Sequence, residues 1–166
     1  RDDDFTANAS LRHALVLGDL ADLEIESTHR LLVHFPATEH EELVVLWLWS
    51  DHAGVFSHET ALALHELSDV LPAKVHMTLP GPWRRRRLRV PEGLVLHHAD
   101  IDDRDRDWLH AVPLTSARRT LKDCIDAHLS PELVEQAIHQ ARQRGLISTA
   151  DASRLTALER SQMGAR

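Results

Sequence analysis

A single cysteine, Cys124, in 166 residues leaves no partner for an intramolecular disulfide and no thiolate set for a cysteine-based zinc site, which fits a reducing compartment. No stretch approaches the roughly 18 apolar residues of a membrane span. The opening Arg1-Asp2-Asp3-Asp4 carries the wrong charge for a secretory leader, so a soluble, cytoplasmic protein is expected. No phosphate-cradling glycine loop is present, and no serine or cysteine stands in a recognisable nucleophile setting. Basic charge is scarce. The 19 Lys and Arg against 26 Asp and Glu leave a formal charge of −7, which argues against a chain that coats nucleic acid nonspecifically. Internal repeats are absent too.

Histidine is plentiful, with 13 residues, yet its local spacings do not spell a metal motif. His58-Glu59 and His65-Glu66 stand seven residues apart, two helical turns or about 10 Å along an axis. The zincin pattern needs histidines four apart. His97 and His98, adjacent on a strand, point to opposite faces. Asp100 to Asp107 lacks the spacing and terminal glutamate of a calcium-binding hand. Spacing therefore assigns no catalytic residue, no metal ligand and no cofactor. The carboxylates are too many to single out a pair.

The apolar patterns predict an α/β or α+β domain, a small mixed sheet packed by helices. Such a length buries about 70% of the unfolded surface and needs no covalent staple. Thr38 and Glu41 have capping-box spacing, predicting a helix through Leu43, Val44, Leu46, Trp47 and Leu48 to about Ser50 with its tryptophans in the core. Ser57 stands where its hydroxyl would cap a helix burying Ala61, Leu62, Leu64 and Leu67. Val75, Met77 and Leu79 alternate with His76 and Thr78 as a strand does, and Val95-Leu96 begin another. One short strand is expected from Trp108 to Leu114, ended by Pro113. Thr115 or Ser116 would cap a helix carrying an Arg119–Asp123 pair at the spacing of four. Ser130-Pro131 opens a further helix that Gly145 stops. A last helix runs from Ser148 or Thr149 to about Arg160.

Arg84, Arg85, Arg86, Arg87 and Arg89 make the sharpest charge feature, beside Trp83. As a strand their faces would alternate and neither would be core, so an edge strand or ribbon tip is expected, where charge discourages edge-to-edge pairing. The functional reading is an anion-recognising patch for phosphate backbone or an acidic protein surface, since guanidinium groups bind carboxylate and phosphate bidentately. Trp83 would stack on a base or pack.

Four blocks of spelling carry a family resemblance: Ser57-His58-Glu59-Thr60-Ala61-Leu62, Leu67-Ser68-Asp69-Val70-Leu71-Pro72, His76-Met77-Thr78-Leu79-Pro80, and Leu114-Thr115-Ser116-Ala117-Arg118-Arg119-Thr120-Leu121-Lys122-Asp123. In order and spacing they resemble the AbiEi-type antitoxin family, the regulatory half of bacterial type IV toxin–antitoxin pairs. In the last block Ala117 stands where the family usually has proline. The similarity covers about three quarters of the chain. It implies a winged helix-turn-helix at the amino end and a carboxy-terminal antitoxin domain over 36–166. It also implies operator DNA and a nucleotidyltransferase-like toxin as functional partners, and neutralisation that need not involve a stable toxin complex; no membrane association is expected, from the lack of a long apolar run. Residues 1–35 look like a reduced winged-helix remnant. Only ten residues precede Leu11, and Arg12 and His13 are the basic groups of the would-be reading helix. Phosphate contacts supply most of the affinity of such modules, so a poor DNA surface is expected there. The alternatives are a nucleic-acid-processing enzyme, for which no convincing acidic metal motif is present, and a degenerate regulator without a partner.

Overall fold

In the computed structural model, which describes residues 40–164, alternation of apolar side chains becomes a five-stranded mixed sheet. Its strands are β1 (Val55–Phe56), β2 (Val75–Leu79), β3 (Leu94–His98), β4 (Arg106–Leu109) and β5 (Val112–Thr115), ordered β3-β2-β1-β5-β4. The pairs β1–β2 and β4–β5 are antiparallel, whereas β2–β3 and β1–β5 are parallel. The helices are α1 (Glu41–Trp49), α2 (His58–Leu64), α3 (Ala117–Asp126), α4 (Pro131–Gln143) and α5 (Thr149–Met163), so the fold is mixed α/β. Among the described residues no helix is long and apolar enough to cross a membrane.

The chain divides into two compact units: residues Gly54–Arg86 with Glu92–Arg166, and residues Arg1–Ala53 with Arg87–Pro91. The expected winged-helix remnant over 1–35, with Arg12 and His13, lies outside the described residues. In the smaller unit α1 buries Leu43 and Trp49, and the Trp47 indole N–H donates to the His52 carbonyl at 3.2 Å. The helix starts after His40, which stands at φ 70° and makes no side-chain cap hydrogen bond, and the Thr38 half of the expected capping box lies outside the described residues.

The larger unit contains the sheet and α2 to α5. Leu62 and Leu67 meet Ala117, Leu121, Cys124 and Ile125 of α3, Val134, Ala137, Ile138 and Ala141 of α4, and Ala152 and Leu155 of α5 in one apolar cluster. Each fully buried leucine there contributes about 1.5–3 kcal/mol relative to exposure. Burial also pushes the Cys124 thiol far up from its usual pKa, which leaves it a packing group. Local signals set the helix ends. Ser116 accepts from the Arg119 N–H at the start of α3, Pro131 opens α4, and Gly145 follows α4 at φ +70°, where the Leu146 N–H closes back on the Ala141 carbonyl at 2.9 Å. Ser148 caps α5, which runs past Arg160 to Met163.

One face of α4 also fastens the loop after α2. Gln136 accepts from the Asp69 N–H and donates to its carboxylate, Gln140 accepts from the Ser68 N–H, and Arg144 donates to the His65 and Glu66 carbonyls. Gln136, Gln140 and Arg144 stand four apart and so share a face.

Two expectations are corrected here. The segment from Trp108 to Leu114 is a hairpin and not one strand, because His110 adopts φ 54°, the left-handed region that reverses a chain. Pro113 sits inside β5 opposite Trp108. The arginine segment is no strand either. Pro82 near the start of a 3₁₀ turn at Gly81–Arg85 fixes its φ and removes an N–H, and the following residues are irregular up to β3. Together they form the crossover that the parallel pair β2–β3 requires.

Candidate functional site

The site begins with a conformation that residue types do not favour. Ser57 is extended, at φ −146° and ψ −179°, and His58 then turns to φ 52°, in the region that a side-chain-bearing residue enters at a cost of about 1–2 kcal/mol. Ser57 occupies the N-cap position, but its hydroxyl makes no cap hydrogen bond. It accepts instead from the Thr78 hydroxyl at 2.7 Å and lies 2.9 Å from Nδ1 of His58. The expected cap is thus replaced by a side-chain network, because the hydroxyl is already engaged with β2 and with the neighbouring ring.

Two further bonds lock α2 to β2 at one residue. The Ser57 N–H donates to the His76 carbonyl at 3.1 Å, and the His76 N–H donates to the Thr60 hydroxyl at 2.8 Å. The register pairs His76 with Val95 and Thr78 with His97, so His76 and His97 are diagonal neighbours on one sheet face. His58 therefore arrives over two strand histidines. Nδ1 of His76 and Nε2 of His97 are 3.1 Å apart. The His58 and His97 rings stack at 3.6 Å between centroids and 16° between planes, with His76 centred 5.3 Å from His97 and 5.9 Å from His58. One ring nitrogen from each of the three lies within 4.8 Å of the others.

All three rings are half-buried, and desolvation keeps them neutral. Burial first, then His97, His76 and Arg119, bring the His58 pKa down to about 3 against a weaker opposing pull from Asp126. Burial, His76 and His98 bring His97 to about 4. His76 is lowered by burial and by Lys74, with the Glu59 carboxylate acting the other way. Neutral imidazoles each keep a lone pair, the form in which histidine ligates metals.

These three residues are what spacing in the sequence does not reveal. His58, His76 and His97 come from a helix start and two strands, and a search for histidines four apart finds none of them. His65, two helical turns beyond His58, turns away and bonds the Thr115 carbonyl through Nε2 at 2.7 Å. The Arg119–Asp123 pair forms as expected, with Nε 2.8 Å from the carboxylate, and Asp105 joins it through Arg119 and Arg118.

The basic residues make a different surface. Arg84, Arg85 and Arg86 are exposed, and the Arg86 guanidinium lies 3.8 Å over the half-buried Trp83 ring, so one face of that indole is covered by a cation. Arg87 and Arg89 are exposed as well, but they belong to the smaller unit. No protein-family model matches the chain, and no curated protein matches it.

Proposed function

We propose that the chain is a regulator of the AbiEi antitoxin kind, acting in the cytoplasm by binding rather than by catalysis and counteracting a nucleotidyltransferase-like toxin. The observation that carries this reading is where the four resembling blocks fall. The first and third are joined by the Ser57–Thr78, Ser57–His76 and Thr60–His76 hydrogen bonds. The first, second and fourth share one core through Leu62, Leu67, Ala117 and Leu121. The spelling that carries the resemblance is thus the spelling that closes the larger unit. The working surface in this reading is the turn bearing Arg84 and Arg85, whose exposed guanidinium groups suit phosphate or carboxylate. Operator DNA is the second partner of the reading. Removing one arginine–phosphate pairing there reduces the slope of log K against log salt by about 0.9.

Co-expression with a growth-arresting nucleotidyltransferase-like toxin, sought among the neighbouring reading frames, is the test. The wild-type chain is expected to restore growth, and Arg84→Ala/Arg85→Ala, once shown to be folded, to restore it less. Failure of the wild type contradicts the antitoxin reading. Full rescue by the double variant contradicts only the arginine surface.

A further inference from the structure

We propose that His58, His76 and His97 form a binding site for one divalent first-row transition metal ion, with zinc the best fit. Three imidazoles are the donor set of zinc, copper and nickel, whereas magnesium and calcium take oxygen. The separation also fits. Tetrahedral zinc at the usual Zn–N distance of about 2.0–2.1 Å places ligand nitrogens about 3.3 Å apart. Nδ1 of His76 and Nε2 of His97 already stand at 3.1 Å.

In the metal-free protein one of these two nitrogens must carry the proton shared between them. A tautomer change turns both lone pairs inward, an arrangement that only a cation between them stabilises. For His58 the outer contact is already in place. In the tautomer whose Nδ1–H donates to Ser57 Oγ at 2.9 Å, Nε2 keeps the lone pair that ligates. A hydrogen bond donated by the non-ligating ring N–H is what fixes tautomer and orientation in histidine metal sites.

Ring orientation requires one movement. Lone pairs lie in the ring plane, so those of the stacked His58 and His97 rings lie in nearly parallel planes and do not meet at one point between the rings. Metal binding must therefore rotate these rings about their side-chain bonds until the lone pairs converge. The backbone that carries them has no such freedom at His58 or His76, because the Ser57, Thr60 and Thr78 bonds tie the start of α2 to β2. The left-handed turn at His58 has a reason on this account. It aims that side chain at the two strand histidines, and backbone strain of this kind concentrates where a ligand is held. Three ligands leave one coordination position for water or another small donor, as in zinc sites with three protein ligands.

The test uses the full chain stripped with a chelator and titrated with zinc chloride in a calorimeter, with cobalt(II) absorbance as a second readout of coordination. Wild type is expected to bind zinc at a site that His76→Ala and His97→Ala each remove, seen as loss of that phase and of the visible cobalt bands. His98→Ala, beside the site on the opposite strand face, is expected to retain both. Ser57→Ala, which leaves all three ligands in place, is expected to weaken zinc by about 10–100-fold. Zinc should also raise the thermal midpoint of wild type but not of the His76 and His97 variants, whose folding is checked without metal. Unchanged binding in those two folded variants, or no zinc uptake by wild type, overturns the assignment.

Discussion

At the scale of single residues, the histidines divide by what their nitrogens meet. His65 gives Nε2 to the Thr115 carbonyl, and burial lowers its pKa, with Arg144 adding to the depression while the Thr115 bond and Asp107 oppose it. Its folded-state pKa lies below the roughly 6.5 of an unfolded histidine, so the unfolded chain takes up that proton first as pH falls. The stability contributed by the neutral ring is full above that value and declines below it. His65→Gln keeps a donor for Thr115 but cannot titrate. In chelator-treated protein its thermal midpoint is expected to fall less than that of wild type between about pH 7 and pH 5. Equal falls would remove His65 from the account of acid stability.

At the scale of elements, legibility followed the range over which a signal acts. The starts of α3 and α5, the proline opening α4 and the glycine after it were readable because Ser116, Ser148, Pro131 and Gly145 act within one turn of themselves. The cap expected of Ser57 was not, because its hydroxyl answers to Thr78 and His58. The Trp108–Leu114 strand became a hairpin through a positive φ at His110, a residue type that does not announce a turn as glycine does. The three-histidine site depends on the β2–β3 register and on the placement of α2 against β2, neither of which any spacing within one element encodes. The core cluster on α3 was the more visible part. Leu121 is fully buried between α2, α4 and α5, so Leu121→Ala is expected to lower unfolding stability by about 2–5 kcal/mol. Denaturant titration checks this, and a loss within about 0.5 kcal/mol, the usual range for surface changes, would contradict the central place given to α3.

At the scale of the whole molecule, the larger unit presents two surfaces of different chemistry: the half-buried imidazoles over β2 and β3, and the exposed arginines at the crossover between those same strands. Both depend on one parallel strand pair. The β2–β3 register sets His97 beside His76, and residues 80–93, which connect the two strands, carry Arg84 and Arg85. The antitoxin reading rests on the sequence blocks and the arginine turn, and the metal assignment on the three rings alone, so either can fail without the other. The most direct measurement of the central structural claim is a crystal structure of the protein soaked in zinc chloride, with anomalous data collected on both sides of the zinc absorption edge. The account predicts one strong peak within about 2.0–2.1 Å of a nitrogen from each of His58, His76 and His97, with the His58 and His97 rings no longer stacked. An accessible site without such a peak, its rings still stacked while zinc occupies surface histidines elsewhere, would contradict it.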